Sequence, residues 1–177
     1  KEVFDNVIEA SKVNGKLFNM PIAFVDEGIF ALKKDVKGEK GFTFDEYVEY
    51  VDKVCNGKSP MDYFDRSEVL RECLSTMSNE FYDEDGNVSF KNQTFYDLSS
   101  FILDNFPEEI NWDDLYDDDE YYGVGVGYSI GDDNPLVYAE LYSISTYIFA
   151  CQKYKDSVGF YGIPSADGRG PSIEVTN

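Results

Sequence analysis

Apolar residues along this chain keep changing their period, from every third or fourth residue to every second one, and that alternation restricts the fold more than any other feature. Val3, Phe4, Val7, Ile8 and Ser11 recur at helical spacing, and Asn14-Gly15 reads as the stop of that helix. Residues 16–24 read as a strand interrupted by Pro21, which has no amide hydrogen for a ladder and so implies an edge or a bend. Residues 28–32 read as a second short strand. The clearest helix start follows: Thr43 and Glu46 form an S/T-x-x-E box, in which each side chain closes an orphan amide of the first turn. Phe44, Tyr47, Val48, Val51, Val54 and Cys55 then make one apolar stripe, which Gly57 ends.

A second helix is expected over 67–78, with Leu70, Cys73, Leu74 and Met77 on one side. A third, capped by Asn92 and stopped by Pro107, carries Phe95, Leu98, Phe101 and Ile102. Between them, Phe81-Tyr82 and residues 88–90 flank a turn-rich segment and suggest a hairpin. Further on, 121–130 and 136–141 read as strands, 143–154 as a helix with Ile144, Tyr147, Ile148 and Cys151 inward, and 158–163 as a strand. A glycine-rich turn over 164–171 precedes a last strand at 172–175. Helices and strands alternate without a repeat or a linker, so one mixed α/β layer structure is the economical arrangement.

Charge narrows the function. The 177 residues hold 35 acidic and 15 basic side chains, a formal charge of −20, and 42 % of them are hydrophobic. That apolar fraction argues against a disordered acidic tail. The shortage of Lys and Arg argues against nucleic acid and against docking on an anionic membrane through a basic patch. No apolar run approaches the ~20 residues a membrane helix needs. There is no histidine, which excludes every mechanism built on an imidazole base or ligand. Cys55, Cys73 and Cys151 are far apart and form no CxxC pair. One disulfide plus a free thiol would fit, but three reduced thiols fit better, since two sit on apolar helix faces. No leader is read at Lys1, so the residues themselves leave the compartment open.

Several constellations could carry chemistry. Asp83-x-Asp85-x-Asn87 resembles the start of a calcium loop, but Val88 stands where the sharp turn needs glycine and Thr94 where a glutamate should be; a solvated hairpin turn is favoured. No Lys or Arg occurs between Lys91 and Lys153, and Asp113, Asp114, Asp117, Asp118, Asp119 and Glu120 form a run. Such a run is a solvated loop, the mouth of a cleft, or a chelator of a hard cation; the last would make the chain an acidic calcium-dependent interaction module. Gly123-Val-Gly125-Val-Gly127 is not a dinucleotide fingerprint. Glycoside hydrolysis needs two carboxylates ~5–9.5 Å apart, and so many acids make that spacing uninformative. Binding remains: 14 Tyr and 14 Phe offer flat apolar faces for sugar rings, and carboxylates accept hydrogen bonds from sugar hydroxyls.

Lys12-Val-Asn-Gly-Lys-Leu-Phe-Asn-Met-Pro21 resembles the dGKLY-x-lP segment of the extracellular solute-binding proteins (family 1) that serve ABC transporters. Gly41-Phe-Thr-Phe-Asp-Glu-Tyr47 is similar to the G-x-T-x-dE helix start that follows it there, and Phe90-Lys-Asn-Gln-Thr-Phe95 to the f-x-s-x-x-f that opens a second-lobe helix. Val158-Gly-Phe-Tyr-Gly-Ile-Pro-Ser-Ala-Asp-Gly-Arg-Gly-Pro171 resembles the family's GfPs-x-dG-x-Gp stretch. Each motif is short, but together they keep the family's order over most of the chain.

The resemblance implies a type II periplasmic-binding-protein-like lobe of α/β class, a mixed sheet flanked by helices. Residues 1–177 would be a single domain, the second lobe of a two-lobed clamp, with hinge-crossing segments near 16–32 and 171–177. Segments near Lys16 and Val175 would then lie side by side. The implied function is non-catalytic binding of a solute, a carbohydrate such as an oligosaccharide, for an ABC importer, with the permease as partner and no cofactor or metal. The implied place is extracytoplasmic, a bacterial cell-surface lipoprotein whose lipid anchor lies outside this chain. Ligand contacts would come from Tyr63, Asp65 and Arg66, and from Glu140 and Tyr142, with Trp112 as a further ring. Tyr142 would stack, and Glu140 and Asp65 would accept hydroxyls. Each has an ordinary alternative: Tyr63 and Tyr142 as rings at the core edge, Trp112 as a packing anchor, Asp65 as a helix N-cap.

Overall fold

Strand β3 (Asp26–Leu32) lies in the middle of three paired strands among the described residues, which is why Ile29, Phe30 and Ala31 are all fully buried. The structure, a computed structural model, describes residues 8, 9, 11–18, 26–83, 85–111, 137–141, 148, 152 and 157–171, with backbone alone for 137–141. Strand β4 (Val137–Leu141) pairs antiparallel with one edge of β3, from Asp26 opposite Leu141 to Phe30 opposite Val137. Strand β5 (Val158–Phe160) pairs antiparallel with the other edge, with Phe30 opposite Phe160 and Leu32 opposite Val158. Contact with β3 continues past β5: Tyr161 N–H donates to Ile29 O at 2.9 Å, and Ile29 N–H to Gly162 O at 3.2 Å. A methyl group on Gly28 would sit 2.3 Å from Gly162 Cα, so only hydrogen at that position allows the two backbones to touch.

Among the described residues all strand pairs are antiparallel; the parallel element of the expected mixed sheet is a single isolated bridge between Thr43 and Ser165. Asn14-Gly15 does not stop a helix. It is the turn of a hairpin between β1 (Lys12–Val13) and β2 (Lys16–Leu17), with φ of 52° and 73°. Positive φ at both central residues is what a type I′ two-residue hairpin requires.

Among the described residues, three helices that are described along their whole length supply the second layer. Helix α1 (Phe44–Lys53) starts in the expected box: Glu46 N–H donates to Thr43 Oγ1 at 3.2 Å, and Thr43 N–H to Glu46 Oε2 at 2.9 Å. Its end is turned by Asn56 and Gly57, both at positive φ. Helix α2 (Arg66–Thr76) is followed by a 3-10 turn, Ser78–Glu80, so it stops short of the expected end. Helix α3 (Gln93–Asn105) is capped by Asn92, whose Oδ1 accepts from Phe95 N–H at 2.8 Å. The hairpin expected before α3 is reduced to one bridge, Tyr82 with Val88, because Asp83 takes the backbone amides of Asp85 and Asn87 and the Asn87 side chain in a tight turn of its own.

The core is aromatic. Phe42 meets Tyr50 at 4.9 Å and Tyr161 at 5.7 Å between ring centroids, and Phe44 stacks on Phe101 at 4.7 Å. Met61, Val69, Cys73, Met77 and Leu98 belong to the same core and are without exposure. Each such side chain withdrawn from water contributes about 1.5–3 kcal/mol. Cys55 and Cys73 are free, and burial pushes the Cys55 thiol up to about 12, so both behave as small apolar residues. Cys151, Trp112, Tyr142, Val175, the acidic run at 113–120, the glycines of 123–127 and the strands expected at 121–130 and 172–175 lie outside the described residues. So does most of the expected 143–154 helix, where Ile148 and Gln152 are helical. Among the described residues no helix is long and apolar enough to cross a membrane.

Candidate functional site

The polar end of the sheet is where β3 begins and β4 ends. Asp26 and Glu27 open β3, opposite Leu141 and Glu140, so the strand end expected to carry a ligand contact stands directly beside two acids. Successive residues of a strand point to opposite faces. Glu27 is on the α2 side, where its carboxyl meets that of Glu72; Asp26 is therefore on the other side.

Glu72 is nearly buried, with 12 % of its side chain exposed, and its Oε1 accepts from Arg71 Nε at 2.8 Å and Nη2 at 2.7 Å. Burial raises the Glu72 carboxyl above its ordinary range and the adjacent Glu27 adds to that, while Arg71 opposes both. Arg71 is itself 71 % exposed, so its guanidinium is held by Glu72 yet reaches solvent. On the other face, burial pushes Asp26 up to about 6, and its Oδ1 is buried without a hydrogen-bond partner. The result is a sheet end with several carboxyl oxygens and one cation, able to accept and donate to hydroxyl groups. A carboxyl pair in direct contact is too close to flank a glycosidic bond, which needs at least ~5 Å.

The 61–66 segment lies at the other end of α2. Asp65 is the N-cap: its Oδ1 accepts from Ser67 N–H at 2.8 Å, Glu68 N–H at 2.9 Å and the Ser67 hydroxyl at 2.7 Å, and Glu68 Oε2 accepts from Asp65 N–H at 3.0 Å. The Ser67 hydroxyl first, then the Glu68 amide, hold its carboxyl below the usual carboxylate range. Arg66 donates through Nε to Phe106 O and through Nη2 to Leu103 O, both at 3.0 Å, so it closes the C-terminal carbonyls of α3. Tyr63 is half-buried against the core, its ring 4.9 Å from that of Phe64. The structure thus gives Asp65 and Arg66 helix-end roles, puts Tyr63 at the core edge and brings Glu140 beside Glu27. Trp112 and Tyr142 are outside the described residues, although Tyr142 directly follows β4.

Sequence reasoning did not single out Asp26, Glu27, Arg71 or Glu72. The one available signal was local: two acids immediately before an apolar strand. The Glu72 contact depends on α2 packing over β3 and has no sequence signature. Among the described residues no group of three or more acidic or cysteine side chains is arranged to hold a metal ion.

No family model matches the chain, and no curated protein matches it. Among solved structures it is similar to the sugar-binding protein MalE from the phytopathogen Xanthomonas citri, with a TM-score of 0.50 and 15 % sequence identity. The match covers 94 % of this chain and 45 % of that one, so the chain spans less than half the length of the structure it resembles. At that identity the likeness concerns the fold: mixed helix and strand, of the α/β kind found in a sugar-binding protein.

Proposed function

We propose that the chain is a solute-binding lobe of the type II periplasmic-binding-protein kind, taking a neutral carbohydrate without chemical change. The observation that carries this reading is the structural likeness to a sugar-binding protein over 94 % of the chain. The four sequence segments similar to solute-binding proteins of family 1 support it independently, as does a sheet end rich in hydroxyl acceptors. The ligand contacts in this reading are Glu140 and Tyr142 at the end of β4, with Asp26, Glu27, Arg71 and Glu72 beside them. Tyr63 and Trp112 are further rings, while Asp65 and Arg66 act by fixing the ends of α2 and α3. The wider assignment follows from the same family: one lobe of a hinged pair, an ABC importer's permease as partner, and an extracytoplasmic lipid-anchored protein. One lobe offers part of a buried contact surface, so binding by this chain is weak.

Titration calorimetry of the chain against mono- and oligosaccharides tests the reading, with calcium and a short acidic or basic peptide as comparison ligands. Saturable millimolar binding of a sugar, with none of calcium, is the expected result. Binding of a peptide or calcium with no response to any sugar would contradict the carbohydrate assignment.

A further inference from the structure

Residues 157–171 return along β3 and then leave it, and the way they are held changes along their length. Up to Ser165 the segment is bound by the β3 ladder, by core side chains and by Ser165 N–H donating to Phe42 O at 3.0 Å. Val158, Tyr161 and Ile163 are buried there. From 166 to 170 no side chain enters the core. Ala166 N–H finds only the Met77 sulfur, at 3.3 Å, Gly168 N–H reaches Ser165 O at 3.5 Å, and Arg169 N–H donates to Ser165 Oγ at 3.0 Å. The contact with loop 38–41 is backbone on backbone: a methyl on Gly170 would lie 2.4 Å from Lys40 O, and one on Gly41 would lie 2.6 Å from Gly170 Cα. Flush glycines give close approach but no interlocking side chains.

Arg169 supplies what the backbone does not. Its Nε donates to Asp167 Oδ1 at 2.8 Å, Nη1 to Asn79 Oδ1 at 2.7 Å and Nη2 to Glu80 Oε1 at 2.8 Å. The side chain is 23 % exposed, and two of its three partners belong to the 3-10 turn, nearly a hundred positions earlier in sequence. We infer that Arg169 is a latch: residues 166–170 form a strap that opens and closes as a unit on the 3-10 turn and loop 38–41, and the Arg169 fork keeps it shut. The device belongs to the fold and stands whether or not the solute-binding reading does. Segments with few apolar contacts open locally at less cost than the core around them. A fork geometry matters here, because one planar group reaches three separate acceptors through three nitrogens, whereas the donors of an ammonium radiate from a single nitrogen.

Hydrogen–deuterium exchange of the whole chain tests the latch. In Arg169→Gln the amides of 166–170 are expected to exchange about tenfold faster or more, the scale set by losing charge-assisted hydrogen bonds. Arg169→Lys should fall between that variant and the parent, and the α3 amides should not change. Asn79→Ala with Glu80→Ala, which removes the distant acceptors and leaves Arg169 in place, should reproduce the effect. Unchanged exchange over 166–170 in either variant, or an equal rise in α3, would overturn the inference.

Discussion

At the scale of single residues the most consequential group is Asp26. One of its carboxyl oxygens is buried without a partner, and burial raises the group from 3.8 to about 6. The folded chain therefore takes up this proton more readily than the unfolded chain. The stability contributed by the protonated form is fully present below 3.8 and is lost as pH rises through about 6. Asp26→Asn keeps the shape and removes the charge, so it should raise Tm at neutral and mildly alkaline pH and leave it nearly unchanged near pH 3.8. A fall in Tm at neutral pH would show that the ionised carboxylate has a stabilising partner. Other carboxylates act in the opposite sense. Asp65, Asp83 and Asp167 are held below the ordinary range by hydrogen bonds from Ser67, Asn87 and Arg169, so their contributions are lost as pH falls through that lower range.

At the scale of elements, local chemistry was legible in the sequence and long-range chemistry was not. Thr43 and Asn92 announce helices α1 and α3 because a cap acts within one turn, and Asp65 was recognisable as a cap for the same reason. Asn14-Gly15 reads as a helix stop but turns a hairpin, because a positive-φ pair serves either purpose equally well. Arg66 sits in a segment that resembles a ligand-contact region, and two of its donors serve carbonyls at the end of α3, about forty positions away, which no local pattern reveals. The same holds for Glu27 with Glu72 at the candidate site and for Gly28 against Gly162. Two substitutions separate these cases. Thr43→Ala should cost about 0.5–2 kcal/mol in urea unfolding, the range for a lost cap. Gly28→Ala should cost about 1–3 kcal/mol, as overpacking does, and should weaken amide protection of Tyr161. Equal protection at Tyr161 in the Gly28 variant would mean that the 157–171 segment shifts freely to accommodate a methyl group.

For the whole molecule, 35 acids against 15 bases set a background of self-repulsion. Local compensation is uneven. Lys37 and Lys53 converge on Glu49 and lower its carboxyl to about 2, whereas Glu27 and Glu72 press two carboxyls together. Added sodium chloride should raise Tm by screening, with the steepest gain at low ionic strength. A flat response would mean that the carboxylates are far enough apart, or well enough paired, to leave little repulsion. The same acidic sheet end is the proposed place of recognition, so the decisive measurement is where a sugar lands. Amide resonances of the chain, followed during titration with an oligosaccharide, are expected to shift at 26–27, 71–72 and 137–141 and to leave α3 unmoved. Shifts confined to other regions, or none at saturating sugar, would contradict recognition at this site.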